Sequence, residues 1–206
     1  MRYLVIGSGG REHALAWRLL HDGSAKEVYV MPGNGGIDPR YRVNIPVTDF
    51  NAIEEFCVSK KIDCVVVGPE VPLVAGIVDF CDSKKIPAFG PRKEAARLEG
   101  SKLFAKAIME KYGIPTCRHW DFVGPEKLLS FVADAAYPLV IKLDGLAAGK
   151  GVGIPSNRAE AEEFIRANVD KDTPVFVEEY FDGEEASVLG ISDGETILPL
   201  IPAQDH

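Results

Sequence analysis

The sequence predicts an α/β fold: a doubly wound parallel sheet through about residue 100, followed by an α+β unit with antiparallel strands. Three patterns carry that expectation. Short apolar runs alternate with helix-period stretches as far as residue 89, which is the signature of repeated βαβ units. Residues 64–67, Cys-Val-Val-Val, are apolar without interruption, as a strand covered by helices on both faces requires. Near the other end, Asp193-Gly194 lies between two alternating apolar runs and predicts a tight hairpin.

Each element has a local reason. Residues 3–6 form the first strand, 12–20 the helix after it and 27–31 the second strand. Phe50, Ile53, Phe56 and Cys57 recur at helical spacing behind Asp49, a good capping residue, so 50–59 is a helix whose stripe is core. Strand 64–67 is followed by a helix over 73–82 and a short strand at 88–89. After Gly90-Pro91 the pattern changes to two successive helices, 93–98 and 101–112, separated by Gly100 and stopped by Gly113-Ile114-Pro115. A domain boundary is therefore expected here, with 1–100 as an amino-terminal domain and 101–206 as a second. Within the second, 125–135 is a helix with proline in its first turn, 139–143 a strand, and 158–168 a helix capped by the Asn157 and Glu160 pair. Strands at 175–179, 186–192 and 196–201 complete it.

Composition narrows the function. The chain has 206 residues, 46% of them apolar, and a net charge of −8. That length buries a substantial core, and an acidic body with a local basic spot suits free nucleotides but not a nucleic-acid surface. The four cysteines form no C-x-x-C pair, and Cys57 and Cys81 sit in helix-like apolar patterns, so they are expected to be reduced core residues. No apolar run reaches membrane-spanning length and no cleavable leader precedes the first strand, so the expected location is the cytoplasm, with no membrane partner.

The most informative stretch is Leu143-Asp144-Gly145-Leu146-Ala147-Ala148-Gly149-Lys150-Gly151-Val152, preceded by Lys142 at the end of an apolar strand. Glycines let backbone N–H groups approach anionic oxygens, and a lysine at each end adds charge, so this loop is suited to phosphate. It lacks the Gly-Lys-Ser/Thr of a P-loop. Lys102 stands in the first turn of its helix, where a cation opposes the dipole unless an anion neutralises it.

Three further loops follow strands on one edge of the first sheet. The first, Gly7-Ser8-Gly9-Gly10-Arg11-Glu12-His13, occupies the position of a dinucleotide fingerprint, but Glu12 replaces the third glycine. A phosphate of another ligand can still sit on that helix start, assisted by Arg11. Pro32-Gly33-Asn34-Gly35-Gly36 and Gly68-Pro69-Glu70 are the others, and together they predict a small-molecule cleft. In the second half, Glu178-Glu179-Tyr180-Phe181-Asp182-Gly183-Glu184-Glu185 reads either as a charged turn or as a hinge whose backbone bonds a nucleobase while one carboxylate bonds ribose hydroxyls.

Five motifs in order give a specific resemblance: Gly-Gly-Arg-Glu-His-Ala at the start, Leu-Glu-Gly-Ser-Lys around Lys102, Ile-Lys-Leu-Asp-Gly-Leu-Ala-Ala-Gly-Lys-Gly-Val at Lys142, Asp-Gly-Glu-Glu-Ala-Ser at Asp182, and Gln-Asp-His at the end. The chain resembles the amino-terminal part of the glycinamide ribonucleotide synthetases, the phosphoribosylamine-glycine ligases of the ATP-grasp superfamily. The resemblance implies a Rossmann-like amino-terminal substrate domain and an incomplete ATP-grasp domain whose lid subdomain covers about 114–186. It implies ATP as cosubstrate with Mg²⁺, the metal ligands lying beyond residue 206, and glycine and 5-phosphoribosylamine as substrates. It further implies that Lys102 and Lys142 contact ATP phosphates, that Gly145, Gly149, Lys150 and Gly151 close over them, that backbone at Glu178, Glu179 and Phe181 reads adenine, and that Glu185 holds the ribose. Gly9, Gly10, Arg11, Glu12, Asn34, Gly35, Pro69 and Glu70 are then expected to hold the other substrates. On this reading the chain is a fragment that is inactive alone, from a protein that is a monomer when complete. The competing expectations are a non-catalytic nucleotide-binding half-enzyme and a nicotinamide-dependent oxidoreductase.

Overall fold

The structure, a computed structural model, describes residues 1–146 and 151–204. It divides into two compact units, one made of Met1–Thr116 with Asp144–Gly151, the other of Cys117–Leu143 with Val152–His206.

The first unit is built on a four-stranded parallel sheet in the order β2-β1-β3-β4, from β1 (Arg2–Gly7), β2 (Glu27–Pro32), β3 (Cys64–Val67) and β4 (Ala88–Phe89). Both faces are covered. Leu4, Ile6, Val65 and Val67 pack with Ile53 and Cys57 of α2 (Phe50–Lys60) and with Ile77 and Cys81 of α4 (Ile77–Ser83). On the opposite face Val5, Val28 and Val30 pack with Ala16 of α1 (Gly10–His21). Burial on both sides is why these strands read as unbroken apolar runs.

The helix expected over 73–82 is two helices, α3 (Glu70–Ala75) and α4, because Gly76 between them adopts a left-handed conformation at φ +97° that ends the first. Two helices follow β4: α5 (Lys93–Gly100) and α6 (Lys102–Tyr112).

The second unit has a four-stranded antiparallel sheet in the order β5-β8-β6-β7, formed by β5 (His119–Val123), β6 (Leu139–Leu143), β7 (Val152–Gly153) and β8 (Pro174–Glu179). Helices α7 (Pro125–Asp134) and α8 (Arg158–Asn168) cover one face, burying Leu128, Val132, Ala161 and Ile165 against Leu139, Ile141, Val175 and Val177. Strand alternation sends Val140, Lys142, Phe176 and Glu178 to the other face.

Strands β5 and β7 were not foreseen. Trp120 and Phe122 alternate with His119 and Asp121 and both meet Phe131 of α7, but β5 is an edge strand of five residues, and β7 has only two. The last strands are shorter than expected: β9 (Gly190–Ser192) and β10 (Ile197–Pro199) form a separate two-stranded hairpin, and Ser187 and Ala203 meet in an isolated bridge. The turn at Asp193 and Gly194 holds as read, with Asp193 accepting the backbone N–H groups of Glu195 and Thr196.

Candidate functional site

In the first unit the parallel register aligns Gly7 with Pro32 and Ile6 with Val67, so the loops after β1, β2 and β3 leave the sheet at one edge. They are tied together. Gly33 N–H donates to the Gly7 carbonyl at 3.0 Å, and the Asn34 amide donates to the carbonyls of Ser8 and Gly9 at 3.1 and 3.3 Å while its oxygen accepts from Gly36 N–H. Glu12, in the first turn of α1, is buried and accepts the Gly9 N–H at 2.7 Å. Gly9 caps α1, Gly10 starts it, and Arg11 is exposed. Gly35 and Glu70 are exposed and Pro69 caps α3. Every amino-terminal residue singled out from the sequence therefore belongs to this loop cluster or to the helices it opens.

The start of α6 shows how Lys102 is accommodated. Asp144 lies directly after β6, where one carboxylate oxygen accepts the Leu103 N–H at 3.1 Å and the other the Ser101 hydroxyl at 2.9 Å. This is the anion that a cation in the first turn requires. Lys102 Nζ donates to the Gly145 carbonyl at 2.7 Å, so the glycine-rich segment is fastened to α6 at its first residues. Gly145 has φ +92°, a conformation that favours glycine, and Gly151 is buried. Gly149 and Lys150 lie outside the described residues. The sequence reading missed Asp144, whose signal is a carboxylate placed between the strand and the first glycine of the loop.

In the second unit Lys142 Nζ meets Glu178 Oε2 at 2.5 Å across β6 and β8, on the sheet face away from the helices. Glu178 is 4% exposed. His119 stands on the same face, edge-on to the Phe176 ring at 6.4 Å. Glu179 turns to Arg118, accepting its backbone N–H at 3.3 Å. Beside the segment after β8 a cavity of about 630 Å³ is lined by Trp120, Phe131, Leu139, Val177, Tyr180 and Phe181 among others. Leu139 and Val177 belong to the helix-covered face, while Glu178, the partner of Lys142, also lines the hollow. Phe181 and Glu185 are exposed.

Such an arrangement presents a buried carboxylate paired with an ammonium group on the strand that leads, in sequence, into the glycine-rich segment. Among the described residues no group of three or more His, Cys, Asp or Glu side chains is placed to hold a metal ion.

Residues 1–99 match the family model described as phosphoribosylglycinamide synthetase, N domain, and residues 100–206 match its ATP-grasp (A) domain. The chain belongs to the phosphoribosylglycinamide synthetase family. A phosphoribosylamine--glycine ligase of Vibrio cholerae is 44% identical over all of this chain and 50% of its own length. The human trifunctional purine biosynthetic protein adenosine-3 is 45% identical over the whole chain and 21% of its own length. The crystal structure of the phosphoribosylamine--glycine ligase of Thermotoga maritima superposes with a TM-score of 0.72 at 32% identity, covering 98% of this chain and 49% of that one. The chain thus spans half or less of these synthetase relatives.

Proposed function

We propose that this chain supplies the amino-terminal substrate domain and part of the ATP-grasp domain of an ATP-dependent ligase joining glycine to 5-phosphoribosylamine. The division runs at residues 1–100 and 101–206, with a lid at about 114–186; the join of the two family matches at residues 99 and 100 supports it.

In the proposed reaction the glycine carboxylate takes the γ-phosphoryl group of ATP, releasing ADP and giving an acyl phosphate. The amine nitrogen of phosphoribosylamine then forms the amide bond, the acyl C–O bond to phosphate breaks, and glycinamide ribonucleotide, phosphate and a proton are released. The residues needed for this hold charge and exclude water from the acyl phosphate. Lys142 and Lys102 neutralise ATP phosphates, and Gly145, Gly149, Lys150 and Gly151 enclose them. Backbone at Glu178, Glu179 and Phe181 reads the adenine and Glu185 the ribose. The edge formed by Gly9, Gly10, Arg11, Glu12, Asn34, Gly35, Pro69 and Glu70 holds glycine and phosphoribosylamine. Mg²⁺ would neutralise phosphate charge in such a transfer, and its ligands are proposed to lie beyond residue 206. The proposed location is the cytoplasm; no helix among the described residues is long and apolar enough to cross a membrane.

The observation that carries this reading is the Lys142–Glu178 pair, because it sets a positioned ammonium group immediately before the glycine-rich loop. Equilibrium dialysis with ATP tests it. Lys142→Ala is expected to weaken binding at least about tenfold, worth about 1.4 kcal/mol, while Lys26→Ala, at an exposed position, leaves it unchanged. Equal affinities in two folded variants remove Lys142 from the nucleotide site.

A further inference from the structure

At the first glycine loop, the seat where dinucleotide enzymes hold a pyrophosphate is filled by one of the chain's own carboxylates. We infer that Glu12 is a specificity-determining residue that closes this loop to pyrophosphate-bearing ligands and turns its polarity from donor to acceptor. Gly7-Ser8-Gly9-Gly10-Arg11-Glu12 lacks only the last glycine of G-x-G-x-x-G, so a single substitution, Glu12→Gly, completes the fingerprint.

The backbone already has the layout such a fingerprint serves. β1 ends on Gly7 at φ +136°, Gly9 caps the helix, and α1 begins at Gly10. Into that layout Glu12 inserts a side chain that leaves the residue only 7% exposed. Its Oε2 accepts the Gly9 N–H at 2.7 Å, and so takes up a donor that an incoming phosphate oxygen would need. Space is closed as well. A Cβ at Gly7 or at Gly68 would lie 2.7 Å from the Glu12 carboxyl carbon, so the carboxylate is wedged against glycine backbone of two loops, one after β1 and one after β3. Its negative charge gains from the N-terminal end of α1 and repels a second anion there. What the loop offers a ligand at the Gly9 N–H is acceptor oxygen, which suits the amine of glycine or the amine and hydroxyls of phosphoribosylamine and opposes a phosphate at that one point, leaving the phosphate of phosphoribosylamine to other parts of the edge.

This inference rests on the first unit alone and stands or falls separately from the ATP site at Lys142. The test is titration of the 206-residue chain with NADH and with inorganic pyrophosphate, each followed at the Gly9 amide resonance so that binding at the Lys142 site is not counted. Glu12→Gly is expected to bind both at least about tenfold more tightly than the unsubstituted chain, and Glu12→Gln, which keeps the bulk and an acceptor oxygen, to stay near the unsubstituted affinity. A folded Glu12→Gly chain with no gain overturns the proposal. The unsubstituted chain gives a second measurement that needs no variant. Its Gly9 amide resonance is expected to be unmoved by pyrophosphate, and a saturable shift of that resonance overturns the proposal.

Discussion

Lys142 and Glu178 are unequal members of one ion pair, since the lysine side chain is 30% exposed and the glutamate 5%. Lys142→Ala removes the ammonium counterion from a buried carboxylate, whereas Glu178→Gln leaves an ammonium group that water still reaches. The first is expected to destabilise the chain by about 2 kcal/mol, below the figure for a fully buried pair because of the lysine's exposure, and the second by less. Urea unfolding of the two variants checks the order, and equal losses would mean the pair is not buried in the way described. The thiols of the first core make a second case. Burial, aided by the Cys81 charge, pushes Cys57 from 9.0 up to about 12, and burial, aided by Asp82, pushes Cys81 up to about 11. Because the folded values lie above the unfolded ones, their contribution is complete below pH 9.0 and is lost as pH rises through about 11 to 12. Above pH 9.0 each thiol should lower stability with a slope approaching about 1.4 kcal/mol per pH unit. The Cys57→Ala/Cys81→Ala chain should show a flatter alkaline profile in the same unfolding experiment.

Helix α6 illustrates how an element can be legible while its support is not. Its position follows from the apolar spacing and from Gly113, and Ser101 is a recognisable cap that accepts the Phe104 N–H at 3.1 Å. The second cap comes from Asp144, 41 residues away from Leu103, and no periodicity reveals a partner so distant. Asp144→Ala removes an acceptor from Leu103 and from Ser101 and releases the start of the glycine-rich segment, so a loss of about 1–2 kcal/mol is expected, measured by thermal unfolding. A loss confined to a few tenths would show that Ser101 caps the helix alone. The split between α3 and α4 has the opposite character: Gly76 was visible in the sequence, but glycine within an apolar helical run can be tolerated, and only its left-handed φ makes it a stop. Strand β5 alternates Trp120 and Phe122 with His119 and Asp121 over five residues only, a run too short to mark a strand by itself.

Across the whole chain, burial is unevenly distributed. Phe176 and Val177 of β8 are almost fully buried, whereas Val188, Leu189, Ile197 and Ile201 near or within the terminal hairpin are 59–90% exposed. A two-stranded ribbon without a packed face is marginal in water. Amide exchange is therefore expected to be slow at β1, β6 and β8 and fast across residues 187–203, and protection of the hairpin equal to that of β8 would contradict this picture. The parallel sheet, most of its helices, the loops on its carboxyl edge and the family motifs were all readable in the amino-acid order, because periodic burial, turn chemistry and capping act over a few residues. Three features were decided only when distant segments met: the carboxylate of Glu12 wedged between Gly7 and Gly68, the Asp144 cap on α6, and the pairing of Lys142 with Glu178 across β6 and β8. Each depends on register and on contacts across the fold, and a one-dimensional pattern carries residue spacing but not the distance between chains of atoms brought together by packing.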